Sequence, residues 1–82
     1  MLEQNVQVNK SFNANKAAYI VQKASEFKCR ISLIADEKTA NAKSIMGIIS
    51  MDLKSGKNVK IVADGEDANN ALSILENIIG GD

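Results

Sequence analysis

The chain of 82 residues contains no histidine, a single cysteine and no surplus of charge, with ten Lys and Arg against ten Asp and Glu. Without an imidazole, no side chain can accept a phosphoryl group on a ring nitrogen and pass it on. Charge neutrality argues against a partner held by bulk electrostatics, so direct binding of nucleic acid is not expected. One thiol, Cys29, excludes an internal disulfide and fits a reducing compartment, where it is expected to be buried and structural. No apolar run approaches the roughly 18 residues that span a bilayer, and the opening MLEQNVQV lacks the basic start and apolar core of a signal peptide. The expectation is a cytoplasmic protein with no membrane association and no cofactor or metal. An apolar content of 45% suffices for a two-layer core, read as one domain over 1–82.

What is present centres on Asn41-Ala-Lys-Ser-Ile-Met-Gly-Ile-Ile-Ser-Met51. Ser44 precedes five apolar residues in seven positions, and serine is a favoured helix N-cap because its hydroxyl accepts an orphan N–H of the first turn. A short helix is therefore predicted from Ser44. Wound at about 100° per residue, Ile45, Met46, Ile48, Ile49 and Met51 surround the axis instead of forming one stripe. Some of them are expected to remain in water beside the serine, as a docking surface. A serine that merely caps the helix is the plainer alternative.

The rest of the chain alternates strands and helices. Leu2, Val6 and Val8 fall on one side of a period-2 pattern, which predicts a half-buried first strand. A helix should begin near Asn13, its N-cap, with Ala17, Ile20, Val21, Ala24 and Phe27 inward and Lys16, Gln22, Lys23 and Glu26 in water. Cys29, Ile31, Leu33 and Ala35 form the inner side of a second strand, which turns through Asp36-Glu37-Lys38 into a short third strand near Thr39 to Asn41. After the Ser44 helix and a polar loop at Lys54 to Asn58, Val59, Ile61 and Ala63 line a fourth strand, and Gly65 breaks it. Asp67 is the expected cap of a last helix carrying Ala68, Ala71, Leu72, Leu75, Ile78 and Ile79, which Gly80-Gly81 ends. This order, βαββαβα, demands an α+β fold in which helices cover one apolar face of an antiparallel sheet. Pattern alone does not fix the strand order.

The run NAKSIMGIISM, followed by Gly65-Glu66-Asp67 and the helix containing Ala71-Leu72, closely resembles the regulatory-serine segment of the HPr family, the small phosphocarriers of the bacterial sugar phosphotransferase system. The likeness covers essentially the whole chain and implies an open-faced two-layer sandwich of four strands and three helices. The family's second hallmark is a loop of the type Gly-Ile-His-Ala-Arg-Pro-Ala that opens the first helix, whose histidine takes phosphate from phosphoenolpyruvate through Enzyme I. Here that stretch reads Ser11-Phe-Asn-Ala-Asn-Lys-Ala17. Asn13 stands where the family has His, Asn15 where it has Arg and Lys16 where it has Pro, and the preceding loop is about two residues short.

An Asn amide has no basic lone pair with which to attack phosphorus, the guanidinium that would clamp phosphate bidentately is gone at Asn15, and Lys16 could supply only a point charge. The sequence is thus similar to the Crh-type branch of the family, which lacks the carrier histidine. The resemblance implies a regulatory protein, not an enzyme, acting in carbon catabolite repression. HPr kinase/phosphorylase would modify Ser44, and a CcpA-type transcription regulator would bind the product through Lys43, Ile45, Met46, Gly47 and Ile49. Asn13, Asn15 and Lys16 would form a polar rim toward that regulator or other phosphotransferase components. Phosphoryl carriage through another residue, or constitutive binding through the apolar patch, are the alternatives.

Overall fold

The computed structural model describes residues 1–81. In chain order it contains β1 (Leu2–Gln7), α1 (Ala14–Ala24), β2 (Arg30–Ala35), β3 (Lys38–Asn41), α2 (Ile45–Ser50), β4 (Asn58–Asp64) and α3 (Ala68–Glu76), with a π-helical turn over Asn77–Gly81. The strands form one antiparallel sheet in the order β1-β4-β2-β3. Its register sets Ala40, Leu33 and Ile61 side by side, and all three are buried. Against that face α1 packs Ala17, Ile20 and Ala24, α2 packs Ile48, and α3 packs Ala68, Ala71 and Leu75. The opposite face carries no helix, and Ile34 and Val62 there are only half-buried among polar neighbours such as Ser32 and Lys60. The predicted α+β open-faced sandwich is the architecture observed.

Three local expectations are corrected. Leu2 is 37% exposed although it lies on the same side as Val6 and Val8, because β1 is an edge strand and the core closes over Val6 and Val8 instead. The hairpin turn is shorter than expected, since Lys38 already pairs with Ala35. Only Asp36 and Glu37 bridge the strands, with Asp36 at φ 55°, a left-handed conformation that a short polar side chain tolerates. Finally, Asp67 precedes α3 but makes no capping bond to it.

Its carboxylate turns to the other side. The backbone N–H of Lys28 donates to Asp67 Oδ2 at 2.8 Å and that of Cys29 to Oδ1 at 3.0 Å, tying the start of α3 to the entry of β2. The bond from Lys28, helped by Cys29, holds the Asp67 carboxyl below the usual carboxylate range against the opposing effect of desolvation. Burial pushes the Cys29 thiol up, and the adjacent Asp67 adds to the effect, in keeping with a structural role for Cys29.

A carboxyl whose folded pKa is depressed contributes stability that is present above its unfolded pKa, about 4, and is lost as pH falls through the folded value. Urea titrations between neutral and acidic pH should therefore show wild-type stability declining through and below pH 4. In Asp67→Asn, which cannot ionise, the decline should be shallower and neutral-pH stability lower. Parallel curves for the two proteins would exclude this clamp as an acid-sensitive element.

Candidate functional site

Ser44 is the N-cap of α2, with extended backbone at φ −114°, and its Oγ accepts the Gly47 N–H at 3.2 Å. Its own N–H donates to the Asn41 carbonyl at 2.9 Å, so both ends of the residue are tied to the β3–α2 junction. The five apolar residues that surround the helix axis divide two to three. Ile48 and Met51 enter the core, while Ile45 is 40% exposed, Met46 72% and Ile49 45%. A helix of six residues laid on a sheet can bury one flank only, and the remaining side chains form an apolar surface next to the hydroxyl.

Lys43 occupies a different place from the one expected. Its Nζ donates to the Phe27 carbonyl at 2.7 Å, beyond the end of α1, and this fixes the chain entering α2. The ammonium is thus committed to the fold, whereas the sequence placed it as a charge beside Ser44 for partners.

Asn13 caps α1 as predicted, its side-chain oxygen accepting the Lys16 N–H at 2.8 Å. That bond uses the oxygen as an acceptor and leaves an amide, which offers no nucleophile. Asn15 is exposed on the first turn. Lys16 folds back: its Nζ donates to the Lys10 carbonyl at 3.3 Å and lies 5.1 Å from the centre of the Phe12 ring. Desolvation, with the nearby Lys10 charge adding to it, pulls the Lys16 ammonium below the ordinary lysine range.

A shallow crease of about 160 Å³ joins the two regions, lined by Asn13, Phe12 and Ala17 from one side and by Ile49, Asp52 and Leu53 from the other. The loop before α1 is held there by Phe12 N–H donating to the Leu53 carbonyl at 2.8 Å and Ser55 N–H donating to Ser11 Oγ at 2.9 Å. Asn13 and Ile49, far apart in sequence, therefore border one surface. Phe12 and Leu53 were absent from the residues expected at the site. The signal for Phe12 was present: an apolar residue just before the N-cap and another four positions into the helix, here Ala17, make a hydrophobic staple. Nothing comparable marks Leu53.

The chain matches the family model described as "PTS HPr component phosphorylation site" over residues 3–80. It belongs to the HPr family. Among curated HPr-family relatives, it is 40% identical over 77 residues to the HPr-like protein Crh of Bacillus subtilis, covering 92% of this chain and 91% of that one. With the phosphocarrier protein HPr of Mycoplasma capricolum it shares 39% identity over 64 residues, 78% of this chain and 72% of the relative. The crystal structure of HPr from Bacillus anthracis superposes with a TM-score of 0.91 at 39% identity and covers 95% of both chains. That of Bacillus subtilis Crh superposes at 0.77, also at 39% identity, over 95% of this chain and 92% of its own. This is accordingly an HPr-type protein related to the phosphotransferase system, with both HPr and Crh among its relatives. Among the described residues, no helix is long and apolar enough to cross a membrane.

Proposed function

We propose that this HPr-family protein is a regulatory module switched by phosphorylation of Ser44, without histidine phosphocarrier activity. HPr kinase/phosphorylase transfers the phosphoryl group from ATP, and the serine-phosphorylated form binds a CcpA-type transcription regulator in carbon catabolite repression in the cytoplasm. In the transfer, Ser44 Oγ attacks the γ-phosphorus and forms the new O–P bond. The bond from phosphorus to the bridging oxygen breaks with its electron pair leaving on ADP, and the hydroxyl proton passes to a base of the kinase.

The observation that carries this reading is the pairing of a capping hydroxyl with three exposed apolar side chains, Ile45, Met46 and Ile49, in a chain that has no histidine. A phosphoserine adds about −1.5 to −2 charges and strong acceptor oxygens, which suit an Arg or Lys of the partner. The anion then supplies orientation and the apolar patch supplies buried area. Asn13 borders the crease, and Asn15 and Lys16 follow it on the first turn of α1, offering amides and one cation where the family resemblance expects a histidine, an arginine and a proline.

Two labelling reactions test it. With ATP and the kinase, the protein should gain one phosphate's mass on the peptide containing Ser44. With labelled phosphoenolpyruvate and Enzyme I, it should stay unlabelled, since no imidazole is available. Absence of the first product, or an acid-labile phosphoprotein in the second reaction, would overturn the proposal. The exposure of Met46 in the unmodified chain favours one further reading, constitutive binding through the apolar patch. Capture of the same partners by Ser44→Ala would select it.

A further inference from the structure

Gly47 lies inside α2, three residues after Ser44, and its backbone does not have the positive φ that Gly56 and Gly65 show. Glycine in a helix interior at an ordinary dihedral angle weakens the helix and gives nothing conformational in return. What the missing side chain provides here is space.

A Cβ placed on residue 47 would sit 3.3 Å from Ser44 Oγ, with Ala40 Cβ and Ser44 Cβ each at 3.5 Å. The two carbon contacts are ordinary van der Waals distances. Only the hydroxyl oxygen is crowded. It would have to give by a few tenths of an ångström, and doing so strains the bond it accepts from the Gly47 N–H while the Ser44 backbone stays tied to Asn41. A methyl group here would press on the one atom that has to approach phosphorus, and turning the serine to another rotamer would break the cap.

We propose that Gly47 is a positioning residue for the modification of Ser44, its missing side chain keeping one flank of the hydroxyl open. The inference rests on the reading of Ser44 as the phosphoacceptor. Ser44 Oγ must align with the γ-phosphorus of ATP opposite the departing ADP oxygen while its proton leaves to the kinase's base, and a shifted oxygen misses that line. Ile45, Met46 and Ile49 keep their side chains and their exposure when residue 47 is changed, so on this proposal the kinase's grip on the apolar patch is preserved.

Steady-state phosphorylation of Gly47→Ala by HPr kinase/phosphorylase with ATP tests this. The expected result is a fall in kcat on the order of tenfold or more, with KM for the protein within about twofold of wild type. Circular dichroism and thermal unfolding should show a folded domain. The double variant Ala40→Gly with Gly47→Ala removes the methyl facing residue 47 from β3 but leaves the contact with Oγ. It should therefore remain a slow substrate. Recovery of wild-type kcat in the double variant, an unchanged kcat in Gly47→Ala, or loss of folding in Gly47→Ala would each overturn the inference by placing the constraint in packing or nowhere. Those outcomes leave the Ser44 reading intact as long as the wild type is labelled. An unlabelled wild type would defeat both.

Discussion

Ser44→Ala is expected to take up no phosphate from ATP and the kinase, and to lose every partner that depends on that phosphate, while remaining folded. The loss of labelling is all-or-none because the variant has no acceptor oxygen at the start of α2. The cost to the fold is the single bond from the Gly47 N–H to Ser44 Oγ, and removing a serine N-cap costs about 1 kcal/mol. For a domain of 82 residues, stability of roughly 0.05 to 0.15 kcal/mol per residue leaves a clear majority of molecules folded after that loss. Met46→Ala separates recognition from modification. At 72% exposure its side chain contributes little to the core, so stability should change by no more than about 0.5 kcal/mol. Capture of a CcpA-type regulator by the phosphorylated variant should weaken, because a Met is both large and adaptable at an interface. Titration calorimetry of phosphorylated wild type and Met46→Ala against the regulator provides the measurement. Equal affinities would remove Met46 from the surface.

The largest stability effect is expected at Gly65, where β4 ends and the chain turns toward α3. Its φ of 150° lies in a region that side chains rarely adopt, and an added Cβ would meet Cys29 Cβ at 2.7 Å and Cys29 Cα at 2.8 Å. Neither partner can yield easily. Cys29 is buried, its backbone N–H is bonded to Asp67, and Asp67 stands two residues beyond Gly65. Backbone strain and overpacking each cost about 1 to 3 kcal/mol, so Gly65→Ala should lose about 3 kcal/mol or more, a large part of the total. Urea unfolding should show the midpoint falling by at least 1 M, given a slope of about 1 to 3 kcal/mol per M. When Gly65→Ala is combined with Cys29→Gly, which has its own cost in the core, the two losses should sum to less than their separate values, because that substitution removes the β-carbon contact and leaves the α-carbon contact. A Gly65→Ala midpoint indistinguishable from wild type would mean that the β4–α3 turn is free to rearrange.

Where the sequence was legible, the signals were periodic or strictly local. The stripe of Ala17, Ile20 and Ala24 gave the buried face of α1, and the alternation of Ile31, Leu33 and Ala35 gave that of β2. Caps at Asn13 and Ser44 were readable because a capping side chain bonds an N–H three residues away. The same rule failed at Asp67, whose acceptors were claimed by N–H groups 38 and 39 residues earlier. It was silent on Lys43, whose ammonium bonds a carbonyl 16 residues away. Both of these departures are long-range polar bonds, and hydrophobic pattern carries no record of such partners.

By itself, the order of residues determined the alternation of strands and helices, the cap at Ser44 with greasy side chains on all sides of its helix, and the absence of any imidazole. Tertiary structure alone decided the strand order β1-β4-β2-β3, which of those side chains stay in water, and the meeting of Asn13 with Ile49 across one crease. The division has a physical basis. Dihedral preference, periodicity and capping act within about four residues along the chain, whereas burial and adjacency depend on which distant faces compete to leave water.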